Sequence, residues 1–356
     1  MWFAHFIIYY TLILSFIFFA GKKQSIFRNK LFIYLYSIPL IILSALRYAR
    51  PGCDTAIYLF WFGEICQGNN SLYEPGFNLL LKAISLITTN GRIMLLIINL
   101  IFFTLFFRFI LKYSCCIWLS VFLFIGMEIF DQSMNLVRQL LALAIIVNSF
   151  DFLITKRYIK FCLIIILAST FHFTAITFLV APFLQMIKLT QTKVLIYYTI
   201  IPILFILSSS VLTFIMSELN IYSKYLNSSA FGIVEQPKLA CILHLLINIM
   251  IFSFCYFFGK KEKKSDINIL MTKFLMVGGI FWALSVNFST IGRAALYFDA
   301  FSIVLIPNIL YSLKIKTNTT IIITILLVMF ITKYFVIAYM RPEWFAIYPY
   351  EFYFEH

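Results

Sequence analysis

The chain has 356 residues, 63% of them hydrophobic and 12% charged, with a formal net charge of +14 and a mean hydropathy of +0.97. A soluble globular chain carries roughly 25% charged residues, so a soluble enzyme or nucleic-acid-binding domain is excluded despite the basic balance. No polar stretch is long enough for a separate soluble domain, which needs roughly 40 residues or more. The sequence therefore reads as a single integral-membrane domain over 1–356.

Nearly the whole length divides into apolar runs of about 15 to 21 residues, the length that crosses a bilayer as a helix. Residues 2–20 form the first, with no basic leader or small-residue cleavage site, so a span is expected rather than a signal peptide. Further spans are expected over 31–46, 93–111, 115–130 and 136–153. Two short ones lie within 159–187, bent around His172 with Pro182 in the second. Residues 194–212, 238–258, 269–287, 294–312 and 319–338 complete an all-α bundle of about 12 spans. Much of the basic charge, as at Lys22-Lys23, Lys156-Arg157 and Lys260 to Lys264, sits in short loops between spans. The positive-inside rule puts these loops in the cytoplasm and both termini outside. Residues 73–90 begin Glu74-Pro75-Gly76 and are too short and polar for a span, so a re-entrant or interfacial helix is expected there. Residues 47–72 and 213–237 read as long outer loops.

A few basic residues break the charge bias by falling on the outer side: Arg47, Arg50, Arg138, Arg293 and Arg341. An arginine near the membrane core costs on the order of 3 kcal/mol, so each calls for an anionic partner, in the protein or in a ligand. Arg47 and Arg50 precede Pro51-Gly52, whose turn leads to Asp54. Arg138 lies at a helix start, where free N–H groups also favour an anion; Arg293 follows Gly292, which lets a ligand approach the backbone. The competing reading pairs them with Asp131 or Asp299. Asp54 is a candidate general base or, alternatively, a helix cap. His172 and Glu74 are further candidates for proton transfer or hydrogen bonding. Asn135 and Gln139 flank Arg138, Asn135 being three residues back and so on its helical face. Tyr58, Tyr73, Tyr225, Tyr297 and Tyr350 are candidate stacking surfaces for sugar rings. The seven cysteines follow no metal-ligand spacing, and no metal or other cofactor is expected; Cys53 and Cys66 share one outer loop, as a pair or as free thiols.

Several of these segments resemble the EpsG family of Wzy-like polysaccharide polymerases. They are Arg47 to Tyr58, Tyr73-Glu74-Pro75-Gly76-Phe77, Asn135-Leu136-Val137-Arg138-Gln139, Ala168 to Ala175 around His172, Ile291 to Phe298 followed by Pro307, and Tyr348-Pro349-Tyr350. The resemblance implies an integral-membrane glycosyltransferase in the bacterial cytoplasmic membrane with an outward-facing active site. Its substrates would be polyprenyl-diphosphate-linked oligosaccharides, as donor and acceptor, and its product O-antigen, capsule or exopolysaccharide. A chain-length regulator is a candidate partner besides membrane lipid; nucleic acid is not. A lipid-linked oligosaccharide flippase and a membrane glycan acyltransferase are the competing classes.

Overall fold

The computed structural model describes residues 2–21, 25–49, 54–219, 238–259, 265–286, 289–313, 316–344 and 347–355. Arg50, Cys53, Tyr225, both quoted lysine clusters at 22–23 and 260–264, and most of the 213–237 loop lie outside them. The described residues are α-helical, with short 3-10 turns and a single isolated bridge between Arg47 and Phe352. In chain order the helices are α1 (Trp2–Phe19), α2 (Ile26–Leu46), α3 (Asp54–Cys66), α4 (Pro75–Ser85), α5 (Gly91–Tyr113), α6 (Ile117–Gly126), α7 (Ile129–Asn135) and α8 (Val137–Ile154). There follow α9 (Tyr158–Ser169), α10 (Ala181–Met186), α11 (Gln191–Leu219), α12 (Lys238–Gly259), α13 (Ser265–Ser285), α14 (Ser289–Asp299), α15 (Ser302–Ser312) and α16 (Lys316–Met340).

The expected class, an all-α polytopic bundle, is the class found, but with fewer spans. Nine helical stretches among the described residues are long and apolar enough to cross a membrane, or ten if α6 and α7, bent by 52° at their junction, make one broken span. The two spans expected in 159–187 account for the difference. α9 has 12 residues and the 3-10 turn at Phe173–Val180 has 8. At 1.5 Å per residue α9 covers about 18 Å, well short of a hydrocarbon core of about 30 Å.

Two other expectations change. The presumed outer loop 47–72 contains α3, a helix of 13 residues. The presumed connection 131–139 contains α7 and the start of α8, broken at Leu136 (φ −89°, ψ 51°). The expected short helix near 73–90 is present as α4; it buries Phe77, Leu81 and Ile84 on one face and exposes Leu79 on the other. The termini of the apolar helices follow local signals. Asn90 caps α5 by accepting the Arg92 N–H at 2.8 Å, and Ser25 caps α2 through the Arg28 N–H at 3.2 Å.

The chain forms two compact units, one of 1–176 with 310–356 and the other of 177–309. The first unit is built on the aromatic inner face of α5. Phe102, Phe103, Phe106 and Phe107 all lie within 6.3 Å of Phe124, ring centroid to centroid. Outward residues such as Ile13, Phe16 and Phe27 stay exposed, as a lipid-facing surface requires. Polar groups sink into this unit at the α6–α7 break. Glu128, in the left-handed region at φ 63°, is 0% exposed and pairs with Lys333 of α16 at 3.0 Å. Asp131 accepts from Tyr334 at 3.2 Å and from Tyr348 at 2.9 Å. Beyond Tyr348 the final segment clasps the end of α2. The Tyr48 N–H donates to the Glu351 carbonyl at 2.8 Å, and the Tyr350 hydroxyl donates to the Leu43 carbonyl at 2.7 Å.

The second unit packs Phe178 against Phe274, Phe298 and Phe301. Its polar centre is Asp299, which accepts from Asn248 Nδ2 and Trp282 Nε1 at 2.6 Å each. Gly278 and Gly279 of α13 make room for it. A Cβ on Gly278 would stand 3.1 Å from the Asn248 amide nitrogen, and one on Gly279 2.7 Å from the Asn248 amide oxygen.

Candidate functional site

The site of the first unit starts from a helix-end problem. Arg138 is the second residue of α8, where the positive end of the helix dipole disfavours a cation unless an anion is near. Glu74 supplies one. It is the N-cap residue of α4, followed by Pro75 at the first helical position, but its carboxylate does not cap α4. The side chain turns away and pairs with Arg138 Nη1 through Oε2, while Oε1 accepts the Phe173 N–H at 3.4 Å. Both partners remain partly open, at 26% exposure for Arg138 and 22% for Glu74.

An aromatic floor lies under the pair. The Arg138 guanidinium sits over the Tyr73 ring, 4.5 Å from its centroid, a cation–π contact. Tyr73 packs on Tyr58 at 5.4 Å and on Phe77 at 5.4 Å. Burial pushes the Tyr73 phenol above its ordinary pKa, and the nearby Asp54 and Glu74 carboxylates push it further while Arg138 pulls it back. The Tyr58 phenol is raised by burial too, and Arg138 and Asp54 act on it with opposite signs. Both phenols are therefore protonated, and Asp54 belongs to the same electrostatic cluster.

Two arrangements hold these side chains. α4 docks end-on against the end of α9: the Gly76 and Phe77 N–H groups donate to the Thr170 carbonyl at 2.9 and 3.3 Å. A Cβ at position 76 would stand 2.9 Å from Thr170 Cβ and 3.0 Å from its carbonyl oxygen, so only glycine permits this approach. That docking also brings the His172 turn to Glu74, because Phe173 supplies the N–H noted above; His172 Nδ1 lies 3.1 Å from the Thr174 hydroxyl. At the other side α3 is tied to α7. The Asp54 N–H donates to Asn135 Oδ1 at 3.3 Å, and the Thr55 hydroxyl donates to the Met134 carbonyl at 3.3 Å.

The structure thus brings Asp54, Glu74, Arg138, Asn135 and the His172 turn together with Tyr58 and Tyr73. It changes the expected role of several of them. Arg138 pairs with Glu74, not with Asp131 or Asp299. Asn135 does not share a helical face with Arg138, because the chain breaks at Leu136 between them; it anchors α3 instead. Gln139 is 1% exposed and faces the core. Arg47, expected to meet a diphosphate, is 4% exposed. Its guanidinium donates to the Thr55 hydroxyl at 3.0 Å and to the Ser44 and Met134 carbonyls, so it braces α2, α3 and α7. Tyr58 and Tyr350, each 3% exposed, and Tyr297, 0% exposed, are too buried to stack on a sugar. Arg293 and Tyr297 belong to α14 of the second unit, where Arg293 is half-buried.

Sequence reading missed the pairing of Glu74 with Arg138, which are 64 positions apart, and the Tyr73 platform beneath it. The available signal was the pair of ionisable residues at two helix starts in an otherwise apolar chain. It also missed Arg92, which donates to the Arg47 carbonyl at 2.5 Å and lies 4.5 Å over the Tyr353 ring.

No curated protein and no solved structure matches the chain. The family model of the EpsG family matches residues 30–352, a range that contains every residue of the cluster just described. The protein therefore belongs to the EpsG family of polysaccharide polymerase-like membrane proteins.

Proposed function

We propose that this protein is a glycosyltransferase that joins polyprenyl-diphosphate-linked oligosaccharide units on the outer face of the bacterial cytoplasmic membrane, forming O-antigen, capsule or exopolysaccharide. The observation that carries the reading is the Glu74–Arg138 pair set at two helix N-termini over an aromatic floor. In the reaction an acceptor hydroxyl attacks the anomeric carbon of the donor unit. The bond from that carbon to the diphosphate oxygen breaks, the diphosphate leaves with the electron pair, and the hydroxyl proton passes to a carboxylate.

The cluster has a group for each demand. Glu74 accepts the proton, and Asp54 orients the acceptor. Arg138 uses N–H donors not taken by Glu74 on the leaving diphosphate, whose developing charge a fixed guanidinium stabilises without proton exchange. His172 is a further hydrogen-bond donor to phosphate. With Glu74 as the base and Asp54 orienting the acceptor, the reaction is a direct displacement with inversion and no covalent glycosyl-enzyme. Donor and acceptor are both lipid-linked, which fits a half-open site in a membrane-embedded unit.

Deletion of the gene in its native host, with gel display of the surface glycan, tests this. Loss of the long-chain ladder with a single repeat unit retained is the expected result. A ladder of unchanged length rules out polymerisation, and a ladder of unchanged length but altered mass per unit marks an acyltransferase.

A further inference from the structure

Three buried polar atoms without a partner belong to residues that make or adjoin the Glu74–Arg138 pair: Arg138 Nε, Tyr73 Oη on the residue before Glu74, and Asn78 Oδ1 one turn along α4. No described group hydrogen-bonds to any of them. Tyr73 precedes Glu74 and carries the Arg138 guanidinium on its ring. Asn78 lies in the first turn of α4, and its N–H closes that turn on the Glu74 carbonyl at 3.0 Å. A buried polar group left unmatched costs about 1–3 kcal/mol, and each such group in a folded protein asks for an explanation. Three on residues that make or adjoin one ion pair point to a ligand that matches them.

The chemistry of the three atoms, with Glu74, selects the ligand. A diphosphate ester offers only acceptor oxygens, so it can pair with Arg138 Nε but not with an amide oxygen or a carboxylate. Asn78 Oδ1 needs a donor, and the Tyr73 hydroxyl takes either role. A saccharide hydroxyl donates and accepts at once. We infer that Tyr73 and Asn78 form the subsite for the acceptor sugar, holding it so that its reacting hydroxyl meets Glu74, while Arg138 Nε faces the diphosphate of the donor. The Arg138 guanidinium covers the Tyr73 ring in the resting site, and the subsite opens when that fork turns toward the incoming diphosphate. This inference rests on the polymerase reading and assigns the two residues to acceptor recognition, apart from the leaving group.

The test uses the full-length protein in lipid nanodiscs and the lipid-linked repeat unit extracted from the deletion strain, with chain lengthening followed over a range of unit concentrations. Inorganic pyrophosphate serves as a competing probe for the diphosphate subsite. Tyr73→Phe keeps the ring under Arg138 and removes only the hydroxyl; Asn78→Ala removes the amide, and Asn78→Asp keeps an acceptor oxygen. Tyr73→Phe and Asn78→Ala should each raise the half-saturating concentration of the unit about fivefold to tenfold, the loss of one hydrogen bond, while pyrophosphate inhibits as in the unaltered protein. Asn78→Asp should recover most of the affinity. An unchanged half-saturating concentration in both variants overturns the inference, as does a matching loss of pyrophosphate inhibition, which assigns the residues to the diphosphate. Failure of the unaltered protein to lengthen the unit overturns the polymerase reading itself, a distinct result.

Discussion

At the scale of single residues, the site is governed by one charge pair whose members would each be unfavourable alone. Arg138 stands at the wrong end of a helix for a cation, and Glu74 is withdrawn from its own helix start to meet it. Arg138 therefore cannot be replaced by a cation of different geometry, nor Glu74 by a neutral group of the same shape. Arg138→Lys retains a positive charge but loses the planar fork that reaches Glu74 and lies flat on Tyr73. Glu74→Gln retains shape but loses the proton acceptor. Each variant should cut chain lengthening by about 100-fold or more, as removal of a charge-stabilising group does elsewhere, with unchanged protein levels in the membrane. Radiolabel incorporation into long-chain glycan, alongside immunoblots of membrane fractions, measures both; near-normal incorporation in both variants would remove the pair from the chemistry.

At the scale of elements, the site depends on short helices fixed at their ends. α3, α4 and α7 are too short to be stable alone in water, and each is held by a backbone or side-chain contact to another element. Gly76 is the sharpest case, because the docking of α4 on Thr170 leaves no room for a Cβ. Gly76→Ala should lower stability by about 1–3 kcal/mol, the usual cost of overpacking, and lower the melting temperature in detergent. Gly63→Ala is the control, since a Cβ there meets nothing within 4 Å. A Gly76→Ala protein that melts with the unaltered one would show that α4 does not dock this way. Sequence reading found α4, since Glu74-Pro75 marks a helix start and the apolar residues behind it are periodic. It offered the start of α3 at Asp54 only as an alternative to a base and did not find α7, because in a chain so rich in apolar residues a short helix and a loop with apolar content look alike. Nor could it find the role of Arg47. A cation beside Pro-Gly looks like a ligand clamp until the Met134 carbonyl, 87 positions away, is seen to take it.

At the scale of the molecule, span length was legible and span number only nearly so. Runs of apolar residues mark membrane helices well, but the stretch 158–186 has the composition of two spans and the geometry of two half-length pieces. The proposed outward orientation of the site makes a topological prediction. Gln67→Cys, in the turn after α3, should be labelled by a membrane-impermeant thiol reagent from outside intact cells. Thr190→Cys, beside Lys188 and Lys193, should react only after the membrane is opened. The reverse labelling would turn the site toward the cytoplasm. A last consequence concerns time. The end of α2 and Tyr48 are clasped by residues 348–352, and the Tyr350–Leu43 contact spans 307 positions. At a synthesis rate of roughly 5–20 residues per second, the Leu43 carbonyl waits about 15–60 s for its partner. α1 and α2 are made long before the segment that clasps the end of α2. The clasp on the end of α2 is therefore among the last contacts of the first unit to form, after every helix before residue 340 has been made.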